Sequence, residues 1–243
     1  MQTVVFRRSG LALLLSFAAV VTIVTQRSRR VFAASRTDSG TQEQVCDPLA
    51  DYFLGMEDYP EAIKRHLAVI RDNPDNALAH YHLGFAYGVT GDHQRELAEY
   101  QKAVNLGLSD WQLFLNLGLL DMEEDHPDEA SAVLRLATLL GPYRPETHFN
   151  LGLVYERLGM YQKAEQELLL SLRLDSSQVD ARNTLGVVYA EEGNYQRAHD
   201  EWADLMNTEP DFTPARANLA ILERIERGEI KGPGRLSGFA HAP

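Results

Sequence analysis

Cysteine is almost missing from this chain: Cys46 is the one thiol in 243 residues. A single cysteine excludes an internal disulfide framework and any metal site built on several thiolates. Acids are missing from the first 36 positions, which carry Arg7, Arg8, Arg27, Arg29, Arg30 and Arg36. All 35 acidic residues therefore face only 17 of the 23 basic ones over the rest of the chain, a balance of −18. A body this acidic repels phosphate backbones, so nucleic acid is not the expected partner. Also missing are a glycine-rich phosphate loop, a serine nucleophile elbow and a His-Glu-x-x-His helix. No catalytic residue, cofactor or metal is expected, and the chain reads as a non-enzyme. His80 and His82 stand two apart, which on a helix turns them away from each other. The acidic run Asp121, Glu123, Glu124, Asp125, Asp128 and Glu129 lacks the ligand spacing and central glycine of a calcium loop. It reads as a solvated turn that places acids at the start of the next helix.

Long apolar stretches are confined to residues 11–25, which follow Arg7 and Arg8 and contain no charge. Residues 1–34 have the layout of an export signal or a membrane anchor. Fifteen apolar residues are few for a bilayer span, which needs about 20, and suit a signal core of about 7–15. Val31-Phe32-Ala33 supplies small residues for cleavage, whereas Arg27, Arg29 and Arg30 fit a retained anchor. Both readings stand, beside a less fitting organelle presequence. The expected location is exported (periplasmic or extracellular) or membrane-anchored through residues 9–25. Residues 35–46 are polar and aperiodic, as in a flexible linker.

What the chain has in abundance is repetition. Tyr81-His82-Leu83-Gly84 returns as Leu115-Asn116-Leu117-Gly118, Phe149-Asn150-Leu151-Gly152 and Asn183-Thr184-Leu185-Gly186, and in weaker form as Ala217-Asn218-Leu219-Ala220. The step is 34 residues each time, without insertion. A period of this size marks stacked helical hairpins. Apolar residues three and four apart define a first helix in each window, Gly91, Gly159 and Gly193 break it, and a second helix follows. Pro127 suits the first turn of a helix, and Pro74, Pro142 and Pro210 end the second helices. Gly84, Gly118, Gly152 and Gly186 fall inside helices at a cost of about 1 kcal/mol each, which calls for close approach by a partner helix. The expected partner is the small column Ala62, Ala130, Ala164 and Ala198, with Leu83, Leu117, Leu151, Leu185 and Phe53, Tyr87, Tyr155, Tyr189 packed around it. Two residues break this pattern: Asp121 in the aromatic column and Glu96 in the small one.

Leu-Gly, an aromatic three residues on, Gly before the turn, a small residue in the second helix and a closing Pro resemble the tetratricopeptide repeat. The resemblance covers about residues 43–226, with the array itself at 47–226: windows 43–76 (degenerate in its first half), 77–110, 111–144, 145–178 and 179–212, and a capping helix at 213–226. It implies an all-α fold, a right-handed superhelical solenoid of about five repeats whose first helices line a groove for a protein or peptide. Residues 227–243, rich in Gly and Pro, are expected to be disordered.

One column of the first helices reads His82, Asn116, Asn150, Thr184 and Asn218, and the next turn carries Phe85, Leu119, Leu153 and Val187. A primary amide has both donors and an acceptor, so it can pair with a peptide backbone of any sequence. The column is similar to the asparagine ladder in the repeat superhelix of the O-linked N-acetylglucosamine transferase, with His82 and Thr184 departing from it. These nine residues are the expected peptide-binding groove, and a bond between neighbouring first helices is the plainer role for the asparagines. A basic carboxylate clamp is absent, because its columns hold Leu78, Gln112, Glu146 and Asp180. The expected function is a non-catalytic interaction scaffold. The alternative is a specificity or assembly subunit of a membrane-associated enzyme complex.

Overall fold

The computed structural model describes residues 46–232 and Phe239. The signal or anchor region, the linker up to residue 45 and the rest of the tail lie outside the described residues. Two compact units meet in sequence between Ser109 and Asp110. The first holds α1 (Pro48–Gly55), α2 (Tyr59–Asp72), α3 (Ala77–Val89) and α4 (His93–Asn105). The second holds α5 (Trp111–Glu123), α6 (Pro127–Leu140), α7 (Pro145–Arg157), α8 (Tyr161–Leu174), α9 (Val179–Glu191), α10 (Tyr195–Thr208) and α11 (Thr213–Glu226). The described residues form no strand, and none of their helices is long and apolar enough to cross a membrane.

Local chemistry sets these bounds. Side chains of Asp47, Asp58, Asn76, Asp92 and Asp110 accept from backbone N–H groups in the first turn of α1 to α5, satisfying donors that a helix start leaves open. From α6 onward no side-chain cap bond forms, and Pro127, Pro145 and Pro214 begin α6, α7 and α11 instead. The turn inside each hairpin needs one residue with a left-handed backbone. That residue is Glu57, Gly91, Asp125, Gly159 and Gly193, with φ of 63°, 81°, 63°, 70° and 77°.

Each hairpin packs on the next, α1·α2 on α3·α4 in the first unit, then α5·α6, α7·α8, α9·α10 and α11 in the second. Successive first helices also touch: α1 with α3, and α5, α7, α9 and α11 in series. The glycine column sits over the backbone of the small-residue column, since an added Cβ would lie 3.2 Å from the Glu96 carbonyl at Gly84 and 3.5 Å from that of Ala164 at Gly152. The space itself is taken by the bulky residue one turn further on, which the sequence reading did not identify: Tyr100, Leu134, Leu168 and Trp202 stand over Gly84, Gly118, Gly152 and Gly186. All four bulky side chains are buried. The glycine thus admits a large apolar side chain between two helices rather than a bare backbone contact.

A polar device recurs beside this core. His80 bonds Glu99 at 2.6 Å and the Pro74 carbonyl at 2.9 Å; His148 bonds Glu167 at 2.7 Å and the Pro142 carbonyl at 3.1 Å. Arg216 donates to the Pro210 carbonyl in the same way. Where the histidine column turns to Phe114, its partner position holds Val133, so polar meets polar and apolar meets apolar.

Candidate functional site

Residues three apart on a helix share a face, so the amide column and the apolar column one turn on form a single strip per first helix. In the second unit this strip is unequal in depth. Asn116 and Leu119 on α5, and Asn150 and Leu153 on α7, are half-buried and reach solvent. Thr184 and Val187 on α9 are each 1% exposed, and Asn218 on α11 is fully buried. The buried members have local duties. Asn218 donates to Asn183 Oδ1 at 3.0 Å, and Thr184 donates to the Asp180 carbonyl of its own helix at 2.8 Å. Asn150 donates to the Glu146 carbonyl at 2.7 Å through one N–H of its amide. Tying first helices together, the plainer role, is therefore what Asn218 does. Phe239 lies in the stretch expected to be featureless, yet it is buried against Trp202 with ring centroids 5.3 Å apart, in the apolar cluster that includes Val187.

In the first unit His82 and Phe85 on α3 are buried, at 5% and 7% exposure. The His82 Nδ1 lies 2.7 Å from the Asp51 carboxylate, and its ring meets that of His66 edge-on at 5.3 Å. His82 is thus engaged with α1 and α2 rather than lining an open surface. Asp51 and His66 escaped the sequence reading, although a signal was present. Asp51 stands in the column of Phe85, Leu119, Leu153 and Val187, and His66 in that of Tyr100, Leu134, Leu168 and Trp202.

The two pattern breaks in the columns, Glu96 and Asp121, are accommodated, each within its own unit. Glu96 is buried above Gly88, where an added Cβ would fall 2.4 Å from its Oε1, and it pairs with His93 at 3.0 Å. Burial holds its carboxyl above the usual range despite that pair. Asp121 replaces an aromatic that in three other repeats lies under a cation eight residues on: Arg95 over Tyr87, Lys163 over Tyr155 and Arg197 over Tyr189. Here that position is Glu129, so partial burial and the Glu129 charge both push the Asp121 carboxyl up. Both members of the cation–π pair have been exchanged for acids.

Two family models match the chain, one described as TPR repeat over residues 53–91 and one as Tetratricopeptide repeat over residues 145–178. The second falls on the α7–α8 hairpin and on one full window of the 34-residue period. These two stretches carry tetratricopeptide repeats. Tetratricopeptide repeat protein 8 of Homo sapiens is 26% identical over 100 residues, 41% of this chain, and the mouse protein (Mus musculus) is 27% identical over 101 residues, 42% of this chain. This chain spans only 18% and 20% of the length of those relatives. Among solved structures, YrrB, a TPR protein with an unusual peptide-binding site, superposes with a TM-score of 0.65 at 22% identity, covering 72% of this chain and 92% of that one. MamA from Desulfovibrio magneticus RS-1 superposes at 0.62 with 18% identity, covering 68% and 93%. At these identities the likeness is one of fold. The tetratricopeptide array has the repeat type and fold of a protein-interaction scaffold.

Proposed function

We propose that this tetratricopeptide protein is a non-catalytic scaffold that grips an extended segment of a partner protein on the strip formed by Asn116, Leu119, Asn150 and Leu153. The observation that carries the reading is the unequal depth of the strip. The α5 and α7 members reach solvent, while Thr184, Val187 and Asn218 are consumed by the fold. Asn150 spends one N–H on its own helix, which leaves an amide oxygen and a second N–H suited to a peptide backbone. Leu119 and Leu153 beside the amides favour a segment that projects an apolar side chain. Glu146 and Asp180, one turn before Asn150 and Thr184, together with the acidic body, favour a segment without net negative charge. The peptide-binding site of the fold neighbour YrrB supports the same use of the array. Residues 1–34 are the part of the chain that would carry this scaffold out of the cytoplasm or hold it at a membrane.

The test replaces Asn116 and Asn150 by alanine in the full chain, with folding matched by circular dichroism. Partner capture should fall at least about tenfold, the equivalent of about 1.4 kcal/mol. A photo-cross-linker at Leu153 should mark the captured segment. Undiminished capture would remove this face from the account. N-terminal sequencing of the protein from fractionated cells tests the role of residues 1–34: a soluble form starting near Ala34 means export, and an intact Met1 in membranes means an anchor.

A further inference from the structure

Four side chains of metal-ligating type converge in the first unit: Cys46 ahead of α1, Asp51 on α1, His66 on α2 and His82 on α3. One ligand atom from each lies within 4.8 Å of all the others. His82 Nδ1 is 2.7 Å from Asp51 Oδ1, Cys46 Sγ is 3.5 Å from His66 Nδ1, and His66 Nε2 is 3.9 Å from Asp51 Oδ1. A tetrahedral ion with bonds of about 2.0–2.3 Å holds its ligand atoms about 3.3–3.7 Å apart. The distances in hand straddle that value, so shifts of about 1 Å within the side chains complete the shell.

Packing alone does not account for this cluster. His66 is fully buried, yet its Nε2 makes no hydrogen bond, and 3.9 Å to Asp51 is too long for one. The equivalent positions in the later repeats hold Tyr100, Leu134, Leu168 and Trp202, so a leucine would fill the same place without stranding a polar atom. Asp51 likewise sits where the other repeats place an apolar residue. Two column breaks that face each other, joined by the chain's single thiol, are what a bound cation explains and a core does not.

Burial pushes the Cys46 thiol up to about 12, reinforced by Asp51, and pulls His66 down to about 4, with His82 adding to the effect. Zinc takes imidazole in its neutral form and displaces the proton of a thiol. Cys46, His66 and His82 are all at least nine-tenths buried, and Asp51, at 30% side-chain exposure, is the open side through which an ion enters.

We propose that Cys46, Asp51, His66 and His82 form a closed four-ligand site for one Zn²⁺. Thiolate and imidazole donors select zinc over magnesium or calcium, which take oxygen shells. Four protein ligands leave no position for a water, so the ion is structural. It staples α1, an eight-residue helix too short to hold itself, to α2 and α3. The degenerate opening of the first repeat is then the place where a metal does what apolar packing does elsewhere. The site lies wholly in the first unit and does not depend on the peptide-binding reading of the second.

The experiment uses the full chain without a histidine tag, stripped by a chelator, shown folded by circular dichroism, and titrated with Zn²⁺ alone or Co²⁺ alone. The expected result is one equivalent bound, with a thiolate charge-transfer band and strong tetrahedral d–d absorption in the Co²⁺ form. Saturating Zn²⁺ should raise the unfolding temperature by about 5 °C or more. Cys46→Ser should abolish the charge-transfer band. His66→Leu, which installs the residue that the repeat carries elsewhere, should keep the helical spectrum and weaken Zn²⁺ binding at least about 100-fold. A folded wild-type chain that takes up neither ion, a Co²⁺ spectrum without the thiolate band, or His66→Leu binding as tightly as wild type would each overturn the proposal.

Discussion

Gly118→Ala tests the packing rule on which the repeat rests. Gly118 lies in α5, and a Cβ built there would meet Leu134 Cγ at 2.5 Å and Cδ2 at 2.8 Å. Carbon atoms at rest stay about 3.5–4.0 Å apart, so α5 and α6 must part by about 1 Å or Leu134 must leave its rotamer. Leu134 is fully buried and has no solvent to swing into. Overpacking of this kind costs about 1–3 kcal/mol, and alanine returns about 1 kcal/mol of helix propensity. The net expectation is a loss of up to about 2 kcal/mol. Gly55→Ala is the control, followed by circular dichroism because both tryptophans lie in the other unit: it ends α1 with nothing within 4 Å of the new Cβ, so it should be neutral or slightly stabilising. The assay is urea unfolding followed by tryptophan fluorescence, since Trp111 and Trp202 both belong to the unit that holds Gly118. Leu134→Ala should cost about 2–5 kcal/mol by itself. On that background Gly118→Ala should stabilise by about 1 kcal/mol, because its opponent is gone and the helix propensity remains, giving a coupling of about 1–3 kcal/mol. A single Gly118→Ala variant more stable than wild type, or strict additivity in the cycle, would refute the close-approach account of the glycine column.

Restoring the missing cation–π pair with Asp121→Tyr and Glu129→Arg should stabilise the second unit by about 0.5–1 kcal/mol in the same urea assay, and a destabilised double variant would count against the column comparison. The second unit should also lose stability as the pH rises through neutrality. Burial pulls His148 down, but its bonds to Glu167 and the Pro142 carbonyl outweigh that and raise it above 6.5. Its contribution is then present in full below its unfolded pKa and lost as the pH passes the folded one. Glu156, pushed up to about 7 by burial and by the nearby Glu191, acts in the same direction: its contribution is present below 4.5 and lost as the pH rises through about 7. His148→Phe with Glu167→Val copies the Phe114 and Val133 pair, and adding Glu156→Gln removes the second group. Melting temperatures of this triple variant should be nearly flat between pH 5 and pH 8 where those of wild type fall. Parallel profiles would show that neither group drives the dependence.

The architecture was legible because each column of a 34-residue repeat samples one environment several times over. Gly84, Gly118, Gly152 and Gly186 announced a close contact, but not which residue fills it, since Ala164 and Leu168 lie one turn apart on the same helix face. The site was less legible for a related reason. A column fixes the side of a helix and says nothing of depth. Asn116 and Asn218 share a column, yet one reaches solvent and the other is sealed by a bond to Asn183. That depth depends on what neighbouring helices bring, and Phe239, far along the chain, packs into the same cluster. Helix spacing compares His80 and His82 only within a single helix, whereas the contacts of His82 come from α1 and α2, 31 and 16 residues earlier in sequence.

Departures from a column carry more information when asked what the structure does for the intruder. Glu96 and His66 are both polar side chains in places where other repeats put small or apolar ones, and both are buried. For Glu96 the fold has made room with Gly88 and supplied His93 as a partner. An accommodated polar group of that kind is a local repacking, stable as it stands. For His66 the fold has done the opposite: it has kept the ring fully buried, left Nε2 without a hydrogen bond and gathered a thiol, a carboxylate and a second imidazole around it. Burying an unpaired polar atom costs about 1–3 kcal/mol, and a chain that carries leucine at the equivalent position in two other repeats had an easy way to avoid that cost. The physical difference between the two residues, one satisfied and one waiting, is what separates a tolerated irregularity from a binding site.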